Sequence, residues 1–161
     1  MEKRAAIQIR IDNGFTLLEL LTIIAIISTL VTIAVPNYME WVHSSRLKTT
    51  SQTLMTDLSM SRMHAIKANP DTDGVTVLFS SSGYIIFIDS NKNSVVDSTE
   101  QVLKDVDFPF GISLTAITFT GNKAIFHKTG YMGAGSVTIS RSDGKSIKII
   151  VNAVGRIRME T

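Results

Sequence analysis

The stretch from Phe15 to Val35, FTLLELLTIIAIISTLVTIAV, limits what this chain can fold into more than any other part of it. It is 21 residues long and carries a single charge, Glu19. At about 1.5 Å per residue a helix of that length measures roughly 30 Å, the thickness of a bilayer core. Its threonines and serines are compatible with lipid, because helical hydroxyls can bond back to carbonyls of their own helix. Lys3, Arg4 and Arg10 precede it, and basic residues keep their end of a span cytoplasmic. The rest of the chain is then expected on the far side of the membrane.

Glu19 is the residue that such a span has to account for. An ordinary signal peptide has a basic start and an apolar stretch, but a shorter one without an early carboxylate. A plain anchor explains the length and leaves the acid unexplained. A charge at the bilayer centre costs about 2.5–3.5 kcal/mol on insertion scales, less near the interface, and is usually partnered. No basic residue lies inside the apolar run. A partner from another chain, or a newly made N-terminal amine, would solve the problem; the competing reading is an acid tolerated at the interface.

Gly14-Phe15-Thr16-Leu17-Leu18-Glu19-Leu20, followed by the apolar run and Pro36, resembles the N-terminal motif of type IV pilins and type II secretion pseudopilins. The resemblance implies that a membrane prepilin peptidase cuts after Gly14 and methylates the new terminal residue, Phe15. It also implies that Glu19 neutralises the amine of a neighbouring subunit during filament assembly. The physics agrees: opposite charges in an apolar bundle stabilise each other strongly, and either alone is costly. The implied leader holds Lys3, Arg4 and Arg10 against Glu2 and Asp12.

Beyond Pro36, which is expected to kink or loosen the helix, the pattern stays helical. Tyr38, Trp41 and His43 fall where an aromatic belt meets the membrane surface. Leu47, Leu54, Leu58, Ala65 and Ile66 recur at the spacing of one buried helical face, with Arg46, Lys48, Asp57, Arg62 and Lys67 mostly on other faces. Asn69-Pro70 ends the helix. From Gly74 the period becomes that of strands: GVTVLFS and GYIIFID around a Ser81-Ser82 turn, then QVLKDV, ISLTAITFT, KAIFHK, SVTIS and SIKIIVN, with GRIRM as a final edge strand or tail. Asp143-Gly144 suits a primed hairpin turn. The expected architecture is α+β and pilin-like, a long N-terminal helix packed against a mostly antiparallel β domain. It divides into a leader (1–14), a transmembrane half-helix (15–36), a periplasmic half-helix (37–69) and a β-rich periplasmic domain (70–161).

Within that superfamily the second half is similar to the minor pseudopilin H and fimbrial protein T group. The similarity rests on Asp89-Ser90-Asn91-Lys92-Asn93, Glu100-Gln101-Val102-Leu103 and Gly155-Arg156. It implies a structural subunit of a pseudopilus or pilus, anchored in a bacterial inner membrane among other pilins.

Charge is unevenly distributed. Between Asp89 and Asp107 five carboxylates face Lys92 and Lys104; between Arg141 and Arg158 five basic residues face Asp143 alone. The acidic stretch has calcium-loop spacing, with Asp89, Asn91, Asn93, Asp97 and Glu100 at template positions one, three, five, nine and twelve. Ser94 stands where that template wants glycine, and the competing reading is a solvated loop whose Asn and Asp cap their own turns. The basic stretch offers Arg156 and Arg158 on one side of an extended segment, with Lys145 and Lys148 expected on the neighbouring strand. Forked guanidinium groups bind phosphates without reading sequence, and in the fimbrial protein T branch a Gly-Arg-x-Arg tail is implied in DNA capture for natural transformation. The alternative is a charged edge strand that resists aggregation or contacts the next subunit.

The chain has no cysteine, which excludes disulfides, thiol nucleophiles and Cys-ligated zinc. His43, His64 and His127 have no ligand-spaced partners, no serine has a nucleophile-elbow context, and no phosphate-binding glycine-rich loop occurs. The expectation is a non-enzymatic subunit without an obligatory cofactor.

Overall fold

The computed structural model describes residues 14–67, 74–91, 93–129 and 133–160. The expected leader up to Asn13 and the Asn69-Pro70 stop lie outside them. Among the described residues one α-helix, α1, runs Leu17–Lys67. Eight strands follow: β1 Val75–Ser80, β2 Gly83–Ile88, β3 Gln101–Asp107, β4 Ile112–Ile117, β5 Lys123–Phe126, β6 Gly135–Arg141, β7 Ser146–Val151 and β8 Ile157–Glu160. The chain separates into two compact units, up to Glu40 and from Trp41 onward.

In the first unit the helix is long and apolar enough to cross a membrane, and none of that window is buried within the chain. Leu17, Leu18, Leu21, Ile24, Ile27, Leu30 and Ile33 are all more than half exposed, so no face of it is spent on an intramolecular core. The hydroxyls of Thr22, Ser28, Thr29 and Thr32 each donate to the carbonyl four residues back, at 2.8–2.9 Å. This satisfies their polar hydrogens on an otherwise apolar exposed surface. Helical structure continues on both sides of Pro36. The Asn37 amide donates to the Ile33 carbonyl at 3.1 Å, adding a side-chain bond in the turn where proline lacks an N–H.

In the second unit the helix buries one stripe. Leu47, Leu54, Leu58 and Ala65 are buried as the spacing predicts; Ile66 is not, being 46% exposed. Ser51 and Ser61 complete the stripe at the intervening turns, each buried and bonded to its own i−4 carbonyl. Small, self-satisfied hydroxyls there let the sheet approach the helix without an orphaned polar atom.

Among the described residues the strands form two antiparallel four-stranded sheets, β3-β2-β1-β5 and β4-β6-β7-β8. Val75, Val77 and Phe79 of β1, Ile139 of β6 and Ile149 of β7 join the helical stripe in one apolar core. Phe79 and Phe119 stack at 5.6 Å between ring centroids. The Ser81-Ser82 turn closes β1 onto β2 with Ser80 opposite Gly83, as the sequence pattern predicts. The ISLTAITFT strand stops at Ile117 and yields to a short 3-10 turn, Thr120–Asn122. The Asp143-Gly144 turn is not of primed type. Asp143 keeps a negative φ, and Gly144, at φ +93°, donates its N–H to the Arg141 carbonyl at 2.9 Å. The left-handed residue thus follows the turn's two central positions.

One charged contact pins the helix to the first sheet. Asp57, expected on an outer face, is 3% exposed. Its carboxylate accepts from the Tyr84 hydroxyl and, at 2.7 and 2.8 Å, from Lys104 Nζ. Lys104 reaches it because a β-bulge between Ile86 and Phe87 sets Lys104 opposite Ile86, on the face that Tyr84 shares. An inward-pointing lysine on edge strand β3 also guards that edge against strand addition. Burial, then the hydrogen bond to Asp57, then its charge, push the Tyr84 hydroxyl well above the ordinary tyrosine range.

Candidate functional site

The helix start is locally well specified. Thr16 precedes the first helical residue, and its Oγ1 accepts from the Glu19 N–H at 3.2 Å. Leu20 N–H donates to the Thr16 carbonyl at 3.2 Å. Thr16-x-x-Glu19 is therefore an N-cap with an acid at the third helical position, the arrangement of a capping box. Its signal in the sequence is a threonine followed three residues later by an acid, at the head of an apolar run. Glu19 lies in the first turn, where the helix dipole favours a negative charge, and it is exposed. Phe15 is 80% exposed beside it.

Gly14 has no structural need to be glycine. A Cβ added there would meet nothing within 4 Å. That contrasts with Gly135, where a Cβ would run into the Phe119 ring. Whatever requires a small residue at position 14 is not the folding of the described residues.

The acidic loop between β2 and β3 does not assemble all five candidate ligands. Asn91 Oδ1 accepts from Asn93 N–H at 3.0 Å, and Asn93 Oδ1 from Val95 N–H at 2.7 Å. Asp97 accepts from Thr99 N–H, Thr99 Oγ1 and the Asn91 amide, and these bonds, those from Thr99 foremost, hold its carboxyl below the usual range. These three residues cap their own turns at the exposed rim. Among the described residues no three acidic or histidine side chains converge on a metal position. Asp89 and Glu100 behave differently, both being buried in the loop's interior.

At the basic end, β8 pairs with β7 as an edge strand. Arg156, Arg158 and Glu160 alternate outward while Ile157 and Met159 pack against the core. Arg158 Nη2 pairs with Glu160 Oε1 at 3.1 Å, and Lys148 stands directly opposite Glu160. Lys145 is not on β7 as expected; it closes the turn before it, with its carbonyl accepting from Arg141 N–H at 2.8 Å. Arg156 sits on a separate turn, where Asn152 Oδ1 accepts its N–H at 2.8 Å. Arg156 and Arg158 line one depression with Ile150 and Asn152, while Lys145 lies in the turn before β7 and Lys148 stands opposite Glu160.

The family model of the type II transport protein GspH matches residues 50–155, and that of the prokaryotic N-terminal methylation motif matches residues 9–35. Comparison with curated proteins gives no match. Among solved structures, the minor pseudopilin EpsH from the type 2 secretion system of Vibrio cholerae is similar in fold. Its TM-score is 0.56 at 12% identity, over 72% of this chain and 97% of that one. The α+β architecture is therefore pilin-like, with a helix long and apolar enough to cross a membrane preceding the sheet domain in the chain. With well over half of its length matched, the chain belongs to the GspH family of type II transport proteins.

Proposed function

We propose that this chain is a minor pseudopilin, a structural subunit that joins a periplasmic filament of the type II secretion machinery. In this reading prepilin peptidase removes the leader after Gly14 in the inner membrane, Phe15 becomes the methylated N-terminus, and the sheet domain faces the periplasm. The observation that carries it is a helix start built for intermolecular use. Its apolar residues find no cover among the described residues, its one acid stands in a capped first turn, and a side chain at Gly14 would meet nothing nearby. In lipid the apolar surface is satisfied at once and the acid is not. In a filament, an amine from a neighbouring Phe15 supplies the missing charge and fixes the register of one subunit against the next.

The test is mass spectrometry of the protein from its native membrane, combined with filament recovery. The expected mature protein begins at methylated Phe15, Gly14→Leu retains the leader, and Glu19→Ala folds its sheet domain yet is depleted from sheared or cross-linked filaments. A protein that still begins at Met1, or a Glu19→Ala variant recovered in filaments at the wild-type level, would overturn the reading.

A further inference from the structure

The loop from Asp89 to Glu100 buries two carboxylates and leaves one oxygen of each without a partner. Asp89 is 4% exposed and Glu100 9% exposed. Asp89 Oδ2 accepts from the Ser94 N–H at 2.9 Å, and Glu100 Oε1 accepts from the Ser90 N–H at 3.2 Å. The other oxygens, Asp89 Oδ1 and Glu100 Oε2, are buried without any hydrogen-bond donor. Ser90 N belongs to the peptide that leaves Asp89, so the Glu100 carboxylate lies against the main chain of the residue that carries the other. Neither acid has an ion pair among the described residues, and Lys104, Arg141 and Arg158 are paired elsewhere, with Asp57, Asp143 and Glu160. Two buried carboxylates bonded to the same short loop, each keeping one oxygen without a donor, are costly to bury unless a cation joins them.

We propose that this loop holds one calcium ion, with Asp89 Oδ1 and Glu100 Oε2 as its anchoring ligands. The chemistry selects a hard divalent ion, since every candidate donor is oxygen. The backbone agrees with the choice of loop. Ser94 occupies the template position reserved for glycine, and it adopts φ +56°, the left-handed turn that position requires. The ligand set is smaller than the spacing predicts, because Asn91, Asn93 and Asp97 are engaged at the rim. Loop carbonyls and water complete the shell. Calcium tolerates such an irregular, partly hydrated set, whereas magnesium demands near-ideal octahedral geometry. Two carboxylates with few further protein ligands place the affinity with extracellular calcium modules, about 10⁻⁴–10⁻³ M. This site is independent of the filament reading, because it requires neither Glu19 nor the membrane helix.

The experiment is equilibrium dialysis of the full-length protein in detergent against radiolabelled calcium, up to about 5 mM with excess magnesium present. One ion per chain is expected, with Asp89→Asn and Glu100→Gln each weakening binding about tenfold or more and Asp97→Asn leaving it unchanged. Should Asp89→Asn fail to fold, Glu100→Gln and the wild-type stoichiometry decide the matter. Absence of saturable binding to wild type, binding unaltered by Glu100→Gln, or an equal loss in Asp97→Asn would each refute the two-carboxylate site.

Discussion

Removing Lys104 is expected to damage the fold more than removing the buried acid it pairs with. Asp57 is 4% exposed at its side chain and Lys104 is 41% exposed. In Asp57→Ala the freed ammonium turns to water, so the ion pair's share of the loss is that of a surface pair, about 0–1 kcal/mol. The Tyr84 hydroxyl, on a residue only 2% exposed, is then left buried without its acceptor, worth about 1–3 kcal/mol. Lys104→Met leaves the opposite residue: a buried carboxylate held by one tyrosine hydroxyl. An uncompensated buried charge of that kind costs about 3–5 kcal/mol. At roughly 4 °C per kcal/mol for a domain near this size, Lys104→Met lowers the Tm by about 10–20 °C, against about 5–15 °C for Asp57→Ala. The double variant should resemble Asp57→Ala, so that deleting the acid rescues the lysine variant. Near-ultraviolet circular dichroism of the detergent-solubilised chain, in urea and on heating, reads all three. If Lys104→Met is the milder single variant, or the double variant shows the sum of both losses, then the buried Asp57 charge does not govern the stability of this cluster.

The sheet domain and the helix start offer further tests. Gly135→Ala drives a methyl into the Phe119 ring, itself stacked on Phe79; overpacking of this kind costs about 1–3 kcal/mol, read as a lowered urea midpoint with an unchanged slope. The Arg141 side chain, 5% exposed, donates to Asp143 from Nε at 2.6 Å and again from Nη2, holding the Asp143 carboxyl well below the usual range. A depressed carboxylate stabilises the fold above its unfolded pKa of about 3.9, and that contribution fades as pH falls below it. Asp143→Asn should therefore flatten the loss of stability between about pH 4 and 2 and lower stability at neutral pH, as measured by urea unfolding across that range. Thr16→Val should fray the first turn by about 1 kcal/mol and Thr16→Ser should not, visible as faster amide exchange at Glu19 in micelles.

Much of this molecule is legible in its residues because two periodicities are written plainly there. A 21-residue apolar run reads as a helix long enough to cross a membrane, and alternating Val, Ile and Phe bounded by Gly, Ser and Asp reads as strands. Those signals are local, so α1 and the strands lie close to where the pattern puts them, and Glu19 stands out on composition alone. The association of strands is not local. That β5 joins β1 and β4 joins β6 is settled by which apolar faces close one core, and no single segment carries that information. Asp57 shows the same limit from the other side: by helical spacing it is a surface acid, and only Tyr84 and Lys104, brought in from β2 and β3 with a bulge to aim the lysine, make it a buried one. The acidic loop divides along this line as well. Spacing nominated five oxygen donors, but burial is a property of the folded loop, and it left Asp89 and Glu100 inside while Asn91, Asn93 and Asp97 turned to hydrogen bonds along the rim.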